Sequence, residues 1–595
     1  MREFSTPPLA VDSTRTNVSD DVMRWAVEQP DRVLFSRRGE GEWEDVGAAE
    51  FVAEVRSVAK GLIAAGIEPG DRVALWSATR YEWAVLDYAI WFAGAISVPI
   101  YESSSTEQAR WILANSGARA LICERPAHLA HLAQVRSELP ELIHVWSLGD
   151  NAIGVLNRLG GDLTDSQVEE RRTALGRDDA ATIIYTSGTT GQPKGCTLTH
   201  GNLLAGVASA VSEEPELFDA EAAATLLFLP LAHVFARIIQ LGTVRSGVRL
   251  GHTSDVASLA ELLGEFQPTF LLAVPRVFEK LYNTASQRAV ADGKGKVFER
   301  ATSVAIAYSR ALDAGRVPLR LRAEHGVFDR LVFAKMRAAL GSKCAYAVSG
   351  GAPLGERLAH FFRGAGVVIV EGYGMTEGSG ALCANTPTAL KIGTVGRPLP
   401  GVSVRVAADG ELLIRGDQVF AGYWRDPEST ESLLQADWLQ TGDLGEIDEE
   451  GFVKITGRKK ELLVTAGGKN VSPTFLEDRL RAHALVDNCL VVGDGQPFIA
   501  ALVTIDREAA TAWAESRGLD TKWERLAHHP DLRAELQRAV DHANQGVSQA
   551  EAIRRFAVLG VEWTEEGGQL TPSLKLKRQT VMRAHRDDVA GLYAR

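Results

Sequence analysis

Residues 185–195, YTSGTTGQPKG, combine hydroxyls, glycines and a lysine in one short stretch. Hydroxyl groups and the backbone N–H groups that glycine leaves uncovered can approach phosphate oxygens, and a lysine adds a mobile positive charge. The stretch is not a Walker loop, G-x-x-x-x-G-K-[ST], because a proline precedes Lys194 and a glycine follows it. The flanking residues 181–185 and 196–200 have the composition of strands. The sequence therefore predicts a phosphate loop between two strands and disfavours a Walker-type NTP hydrolase.

The elements around this loop alternate between helical patterns and short, nearly all-apolar runs. Apolar residues at 48–66 have helical spacing, and a strand pattern follows at 71–77. Further strand patterns occur at 118–124, 268–275, 345–350 and 366–374. This alternation predicts a parallel sheet covered on both faces, whose ligands bind beyond the carboxyl ends of the strands. The glycine-rich turns SGGAP (349–353) and EGYGMTEGSG (371–380) lie at two such ends.

The pattern changes to short strands and turns after about residue 393. A hairpin is expected around Glu450 and Gly451, and Ser472 is placed to cap a helix that starts at Pro473. We expect an N-terminal domain over 1–457, a hinge at 458–461 and a C-terminal lid domain over 462–595. The fold class is thus α/β with a small α+β module at the end.

Composition excludes several classes of protein. A chain of 595 residues with a net charge of −12 is too long for one core and lacks the basic character of a general nucleic-acid binder. Its five scattered cysteines form no C-x-x-C pair, which favours a reducing compartment. The apolar stretch 83–101 is interrupted by Asp87 and predicts a buried helix and strand, not a membrane span. With no signal-peptide pattern, we expect a cytoplasmic protein, with peripheral contact to a membrane left open.

Five motifs in order carry a resemblance that spans nearly the whole chain. They are YTSGTTGQPKG (185–195), YGMTE (373–377), TGD (441–443), GRKKE (457–461) and LTPSLKLKR (570–578). In this order they resemble the adenylate-forming enzymes, the superfamily of acyl-CoA synthetases, luciferases and peptide-synthetase adenylation domains. The resemblance implies a large N-terminal domain of α/β sheets and a small β-barrel-like subdomain, followed by a mobile C-terminal lid.

The resemblance assigns the ATP phosphates and a magnesium ion to two of these motifs. In the loop, hydroxyls, glycines and a lysine surround the β- and γ-phosphates: Thr186, Ser187, Gly188, Thr189, Thr190 and Lys194. Thr186 and Glu377 are implied to hold Mg²⁺, which prefers hard oxygen ligands. Tyr373 is implied to face adenine, and Thr376 the α-phosphate. Other residues implied around the nucleotide are Gly350, Gly351, Ala352, Glu371, Gly372 and Gly374.

The remaining motifs are implied to hold ribose and to carry the catalytic cation. Asp443 can accept hydrogen bonds from both ribose hydroxyls, and Arg458 is implied to bind ribose or phosphate. Glu461 occupies the hinge position. Lys575 aligns with the lysine of the family's T-x-S-G-K motif, although a leucine replaces its glycine. A cation is needed there because a carboxylate must approach the negatively charged α-phosphate of ATP.

Several passages are similar to the long-chain fatty acyl-CoA synthetase branch in particular. These are 229–237, 274–283, 348–354 and 457–473. His233 resembles the histidine that lines the acyl-adenylate pocket. Four residues later, where some bacterial members have a tryptophan gate, this chain has Arg237. Closure of the fatty-acid tunnel would therefore have to involve a guanidinium, with a carboxylate as its partner.

The function implied is ATP-dependent activation of a long-chain fatty acid to an acyl-adenylate, followed by transfer to CoA. The substrates are the fatty acid, ATP and CoA, with Mg²⁺, and a homodimer is left open because many members are dimers. The alternative is a fatty acyl-AMP ligase or other adenylating enzyme that passes the acyl group to a carrier protein. A catalytically inactive ATP-binding scaffold is disfavoured because Lys575, Glu377 and Thr186 are all present.

Overall fold

The computed structural model describes residues 1–594 except 11, 13, 40, 187–191, 220–221 and 572–574. The helices of the N-terminal part are Asp20–Glu28, Ala48–Ala64, Tyr81–Phe92, Thr106–Ser116, Pro126–Val135, Ala152–Leu159, Asp165–Thr173, His200–Glu213, Pro215–Phe218, Val234–Ser246, Leu259–Phe266, Pro275–Ala291, Gly295–Asp313, Leu319–Phe328, Ala334–Ala338, Glu356–Gly364 and Pro427–Leu433. Most of them cover sheets, as the alternating pattern predicts.

A mixed sheet carries both strands that flank the phosphate loop. Its strands are, in spatial order, Gly422–Tyr423, Lys194–Thr199, Ala180–Thr186, Ile96–Ile100, Arg72–Trp76, Ala120–Cys123 and His144–Ser147. Neighbours from Ala180–Thr186 to His144–Ser147 are parallel, and Ala180–Thr186 and Lys194–Thr199 are antiparallel. The prediction that the loop joins two strands is confirmed.

A second sheet ends at the two glycine-rich turns. Its strands are Phe270–Ala273, Tyr346–Ser349, Val368–Met375, Gly380–Ala384 and Arg397–Pro398. The first three are parallel and their interiors are apolar, which confirms the buried parallel strands predicted at 268–275, 345–350 and 366–374. A smaller sheet beside it consists of Ala224–Leu227, Arg249–His252, Val33–Arg38 and Trp43–Gly47.

An antiparallel sheet forms the β-rich region after residue 393. Its strands are Glu3–Ser5, Ser403–Val406, Glu411–Arg415, Trp438–Ile447, Leu434–Gln435 and Val453–Arg458. The last of these pairs with Trp438–Ile447 across the turn at Glu450 and Gly451, so the predicted hairpin is confirmed. This sheet brings Asp443 and Arg458 into the same region of the molecule.

The C-terminal part has its own apolar core. Its strands are Leu463–Val464, Asn470–Val471, Val486–Val492, Ile499–Ile505 and Ile553–Leu559, and its helices are Pro473–Arg481, Arg507–Glu515, Trp523–Leu526, Pro530–Asn544, Arg578–Ala584 and Arg586–Tyr593. The helix at Pro473 begins where the sequence predicts, but the Ser472 side chain makes no capping hydrogen bond. The Ser472 hydroxyl is instead buried beside Gly457.

The apolar stretch 83–101 is buried within the N-terminal part. It forms most of the helix Tyr81–Phe92 and the strand Ile96–Ile100, as predicted. Asp87 lies in this helix, fully buried, and its carboxylate binds the guanidinium of Arg237. No helix in the described part of the chain has the length and apolar character needed to cross a membrane.

Candidate active site

A cavity of about 3000 Å³ lies where the two parts of the chain meet. Both glycine-rich turns line it, together with the strand ends of the N-terminal part and residues 570, 571, 575–580, 582 and 583 of the C-terminal part. The Arg357 guanidinium donates to the Ala482 carbonyl at 3.3 Å, and Arg276 forms an ion pair with Asp487. These contacts hold the C-terminal part over the cavity.

Asp443 lies at the wall of the cavity with both carboxylate oxygens bound. The register of the hairpin places Arg458 opposite Asp443, and Arg458 Nε donates to Oδ1 at 2.9 Å. Tyr373 Oη donates to Oδ2 at 2.7 Å. Burial raises the pKa of Tyr373, so the phenol keeps the proton it donates. A carboxylate has about four acceptor positions, so Asp443 can still accept from two vicinal hydroxyls.

Thr186 and Glu377 lie on either side of one buried thiol. Thr186 ends the strand Ala180–Thr186, and its Oγ1 is 4.0 Å from Cys196 Sγ. Burial and then the charge of Glu377 raise the pKa of Cys196 well above its usual value, so the thiol is inert. Glu377 Oε1 accepts a hydrogen bond from Tyr423 Oη at 2.7 Å. One carboxylate and one hydroxyl therefore face the base of the phosphate loop.

The glycine-rich turn 371–380 folds back closely on itself and contacts the other turn. A Cβ atom on Gly374 would lie 1.5 Å from the Gly380 carbonyl oxygen, so only glycine fits there. Gly351 has φ +82°, a conformation that favours glycine. Glu371 Oε1 accepts from the backbone N–H of Leu354 at 3.0 Å and thereby braces the turn 349–353. Burial raises the pKa of Glu371 to about 8.

His233 and Lys575 both line the cavity, near enough for the charge of Lys575 to act on the imidazole. His233 caps the helix Val234–Ser246, and its Nδ1 accepts from the Phe235 N–H at 3.1 Å. Burial, and next the charge of Lys575, lower the pKa of His233 to about 3. The imidazole is therefore neutral near pH 7, with its proton on Nε2. His233 can donate a hydrogen bond to a bound acyl group, but it is too weak a base to accept a proton.

Lys575 is a cation without a counter-ion in the described part of the chain. No hydrogen bond or ion pair of its ammonium occurs there, and its Cε lies 3.9 Å from where a Cβ of Gly351 would be. Burial and then Arg458 lower the pKa of Lys575, while Asp443 and Glu377 oppose this shift. The residue is exposed, and it lines the cavity together with these charged groups.

Lys194 is engaged by residues that the sequence analysis missed. Its Nζ lies 3.6 Å from Asp426 Oδ2 and hydrogen-bonds Ser429 Oγ, at the start of the helix Pro427–Leu433. It also lies 5.3 Å from the centre of the Tyr423 ring. Nothing in the local sequence around 423–429 signals these contacts, because they depend on the pairing of Gly422–Tyr423 with Lys194–Thr199.

An apolar branch of the cavity leads away from His233. Its lining includes Val234, Ile238, Ile239, Ala210, Phe218 and Gly380. Glu214 also lines it, although this residue is 94% buried and its Oε2 has no hydrogen-bond partner in the described chain. Burial raises the pKa of Glu214 to about 9, so the group is a neutral acid near pH 7. The sequence analysis missed Glu214 because an acidic residue in an acidic stretch looks like solvent-exposed surface.

The expectation that Arg237 closes the tunnel is wrong, although its carboxylate partner exists. The guanidinium is fully buried, binds Asp87, and donates to Thr182 Oγ1 at 2.6 Å. Trp83 and Trp91 rings lie on either side of it, each 5.3 Å away. All of these partners are in the core, and Arg237 does not reach the apolar branch of the cavity.

The other predicted nucleotide residues lie around the same cavity. Those in its lining are Thr186, Gly350, Gly351, Ala352, Gly372, Tyr373, Gly374 and Thr376. Ser187, Gly188, Thr189 and Thr190 lie outside the described residues.

The fold and the cavity define a nucleotide-binding enzyme with a large N-terminal and a small C-terminal domain. The family model of AMP-binding enzymes matches residues 22–424, and the model of the AMP-binding enzyme C-terminal domain matches residues 460–595. The chain belongs to the AMP-binding enzyme family.

Two curated relatives are similar over most or all of their length. The "Long-chain-fatty-acid–CoA ligase FadD15" of Mycobacterium tuberculosis is 48% identical over 598 residues, which cover all of both chains. The peroxisomal "Long chain acyl-CoA synthetase 7" of Arabidopsis thaliana is 31% identical over 93% of this chain and 82% of its own.

Solved structures share the fold at lower sequence identity. An anthranilate CoA ligase in complex with anthranoyl-AMP matches with a TM-score of 0.73 and 20% identity, over 97% of this chain and 98% of the other. The adenylation domain of a carboxylate reductase from Mycobacterium chelonae matches with a TM-score of 0.74 and 23% identity, over 98% and 92% of the two chains. Both comparisons confirm the predicted α/β fold with its large and small domains.

Proposed function

We propose that the chain activates a long-chain fatty acid with ATP and transfers the acyl group to CoA. The observation that carries the proposal is Lys575, a cation that forms no ion pair with any described residue and shares a cavity with Asp443 and the neutral His233. The names of the relatives, which cover the whole chain at 48% identity, support the long-chain acid and the CoA acceptor.

In the first step a carboxylate oxygen of the fatty acid attacks the α-phosphorus of ATP, and the bond to pyrophosphate breaks. Lys575 reduces the repulsion between the two anions and stabilises the charge that develops at the α-phosphate. Asp443 holds the ribose hydroxyls, with its own orientation set by Tyr373 and Arg458. His233 donates its Nε2 proton toward the acyl oxygen and keeps the adenylate in place.

The residues Thr186 and Glu377 fit a magnesium ion. They supply one hydroxyl and one carboxylate, and no cluster of three or more acidic, histidine or cysteine side chains occurs among the described residues. Mg²⁺ is often held in this way, by few protein ligands together with substrate phosphates and water. When bound, the ion would neutralise charge on the departing pyrophosphate.

In the second step the sulfur of the CoA thiol attacks the acyl carbon, the thiol proton passes to solvent, and AMP leaves. We propose that the C-terminal domain first turns about residues 458–461, with Glu461 as the hinge, so that Lys575 leaves the cavity. The short turn Lys459–Glu461 between two strands is a place where a few residues can absorb such a rotation. Closure beforehand protects the mixed anhydride from water.

We propose that the enzyme also contacts a membrane peripherally. A long acyl chain leaves water for lipid with a gain of about 0.8 kcal/mol per CH₂ group, so most of the free substrate is in membranes. An enzyme that acts on it gains access by docking there.

The proposal is tested by mass-spectrometric product analysis with Mg·ATP and palmitate, with and without CoA. We expect palmitoyl-CoA, AMP and pyrophosphate in stoichiometric amounts when CoA is present. Palmitoyl-adenylate that persists despite CoA would assign the chain to the enzymes that load carrier proteins. ADP as the product would overturn the proposal outright.

A further inference from the structure

A continuous helix over residues 319–338 presents an apolar stripe to solvent. It comprises Leu319–Phe328, the π-helical turn Asp329–Phe333, and Ala334–Ala338. Leu319 is 80% exposed, Val327 55% and Leu331 56%. We call Leu319, Val327 and Leu331 the 319–331 stripe. Single exposed apolar side chains are normal, but three large ones on one helix, grouped with basic residues, indicate a binding surface.

The spacing of the stripe is that of one helix face. Residues 319, 323, 327 and 331 are four apart, and each step of four passes a full α-helical turn by about 40°. The π-helical turn at Asp329–Phe333 uses more residues per turn and offsets part of this drift, so Leu331 remains near the line of the others. Ala323 lies between Leu319 and Val327 and is exposed as well.

The opposite face fixes the helix to the protein. Phe333 is fully buried, and Met336 is buried in the same apolar core. His325 lies over the Tyr308 ring at 3.9 Å and hydrogen-bonds the Gly364 carbonyl at 2.6 Å. The stripe is therefore held outward by a well-packed inner face, and it cannot turn inward without breaking this packing.

Basic side chains flank the stripe without partners of their own. Arg320, Arg322, Arg330 and Lys335 are exposed, and none of them has an ion pair in the described chain. The two acidic residues of the helix are already bound: Arg300 Nε donates to Glu324 at 2.7 Å, and Arg337 donates to Asp329 at 2.7 Å. The outward face is therefore apolar and positively charged.

The segment around the helix has a net positive charge, whereas the whole chain has a net negative charge. Residues 288–343 contain twelve Lys and Arg and five Asp and Glu, whereas the whole chain contains 64 and 76. An acidic protein with one basic and apolar face is suited to a surface that is negative outside and apolar beneath. A lipid bilayer with anionic headgroups has this property.

We propose that the 319–331 stripe and its flanking basic residues dock the enzyme on an anionic lipid membrane. The helix would lie in the plane of the surface, with Leu319, Val327 and Leu331 among the acyl chains and the arginines at the headgroups. The neighbouring helix Gly295–Asp313 packs against it and contributes Ile306 and Arg310 to the lining of the cavity. One helix thus connects the docking helix to the lining of the active-site cavity. This inference rests on the proposed function only for its biological purpose.

The test is sedimentation of the full-length protein with phosphatidylcholine vesicles, with and without phosphatidylglycerol. We expect binding to the anionic vesicles only, weakened by added sodium chloride. The variant L319S/V327S/L331S should bind about a hundredfold more weakly, because each apolar side chain contributes to burial in the lipid. The variant R320Q/R322Q/R330Q should lose about tenfold or more, because each basic residue near the surface contributes to attraction.

The matched control is V27S/L159S/V256S, which removes three exposed apolar residues elsewhere in the N-terminal part. It should bind like wild type. Equal vesicle binding by wild type and the stripe variant would overturn the proposal, as would a wild type that does not bind. Loss of a dimer in the stripe variant, without vesicle binding by wild type, would identify an interface between two copies instead.

A second measurement separates this proposal from that of the ligase. AMP release with octanoate, which is soluble in water, is followed without vesicles for every variant. Octanoate activity that is the same in all variants shows that each is folded and that differences in vesicle binding belong to the surface. If wild type binds vesicles but forms no AMP with any acid, the proposed function fails and the docking surface stands.

Discussion

Arg237 and Lys575 are both cations, but Arg237 is fully buried in the core and Lys575 is exposed to a cavity, and their partners differ completely. Arg237 lies in the core with a carboxylate, a hydroxyl and two indole rings around it. Lys575 lies at a cavity, and none of the described residues forms an ion pair with it. The protein therefore uses the hydrogen-bond donors of Arg237, whereas the ammonium of Lys575 remains available to a ligand.

The difference has a consequence for what each charge contributes. A buried ion pair gains its attraction at the cost of desolvating both ions, so it orders the core without adding much net stability. A lysine that lacks a counter-ion in a cavity is destabilised, as its lowered pKa indicates, until an anion arrives. Its binding energy is therefore available for the substrate and the transition state.

Removing the Lys575 cation should have the largest effect on activity. One ammonium at about 4 Å from the α-phosphate, at an effective dielectric of about 20, contributes about 4 kcal/mol. Lys575→Ala should therefore lower the adenylation rate by about a thousandfold. Pre-formed acyl-adenylate should still react with CoA, because the proposed second step does not need this lysine. The measurement is single-turnover formation of acyl-adenylate and pyrophosphate without CoA, and of acyl-CoA from supplied adenylate.

The control for Lys575 is its neighbour Lys577. Lys577→Ala removes a second, half-buried cation of the cavity lining two residues away, and should lower the adenylation rate by less than about threefold if the effect is specific to Lys575. ATP affinity of Lys575→Ala, measured by fluorescence titration, should stay close to that of wild type. An adenylation rate in Lys575→Ala equal to that of Lys577→Ala would remove the catalytic role.

Breaking the Arg237 pair should affect stability and spare the chemistry. Asp87→Asn leaves a buried guanidinium uncompensated, which should lower the free energy of unfolding by about 3 kcal/mol or more. The double variant Asp87→Leu/Arg237→Met should recover much of this loss. Urea denaturation measures both, and the kcat of the folded fraction should be unchanged.

The matched control is Glu3→Gln, which breaks an exposed pair with Arg405 and should cost about 0–1 kcal/mol. A loss for Asp87→Asn as small as that of Glu3→Gln would contradict the comparison.

The elements of the fold could be predicted because their signals are local. Runs of apolar residues predicted the strands at 268–275, 345–350 and 366–374, and turn residues predicted the hairpin at Glu450. The structure contains all of these elements. The site motifs could be placed for the same reason, since each has a local sequence signature, although Tyr373, Asp443 and Arg458 lie within strands. Tyr373, Asp443 and Arg458 do meet.

What could not be predicted depends on contacts between distant residues. Arg237 was expected near the acyl tunnel from its position relative to His233, but Asp87 and Thr182, which hold it in the core, are 150 and 55 residues away. Tyr423 and Asp426 reach the site through a short strand that pairs with Lys194–Thr199. The 319–331 stripe was missed because an apolar residue at helical spacing is normally taken as core.

Glu214 is an intermediate case between the two cations, since it is a buried polar group whose Oε2 has no hydrogen-bond partner among the described residues. Glu214→Leu should raise the free energy of unfolding at pH 8 by about 1–3 kcal/mol, because an unpaired buried carboxyl is removed. The gain should shrink toward pH 5. The folded-state pKa of about 9 lies above the ordinary value of 4.5, so wild type alone loses stability as pH rises between these values. Urea denaturation across this pH range measures the difference.

The same variant tests whether Glu214 faces the acyl chain. A plain fatty acid should be used more efficiently when the polar wall becomes apolar, with kcat/KM for palmitate rising by up to about tenfold. The control Glu213→Leu changes a neighbouring carboxylate outside the cavity lining and should leave kcat/KM unchanged. A Glu214→Leu enzyme with the stability and activity of Glu213→Leu would show that the carboxyl is solvated and partnered in solution.

Lys194 should give the smallest effect, because its partner is only a half-exposed carboxylate. The Asp426 side chain competes with ATP phosphates for the ammonium of Lys194. Asp426→Asn removes that charge while its Oδ1 can still accept from the Ser429 N–H, so the helix start is kept. We expect the KM for ATP to fall about twofold to fivefold, the range of an exposed ion pair. In a Lys194→Met background the same change should have no effect, since the two residues act as a pair. An equal fall in KM in both backgrounds would mean that Asp426 acts on ATP directly and that Lys194 resembles Lys575, a cation with no competing partner.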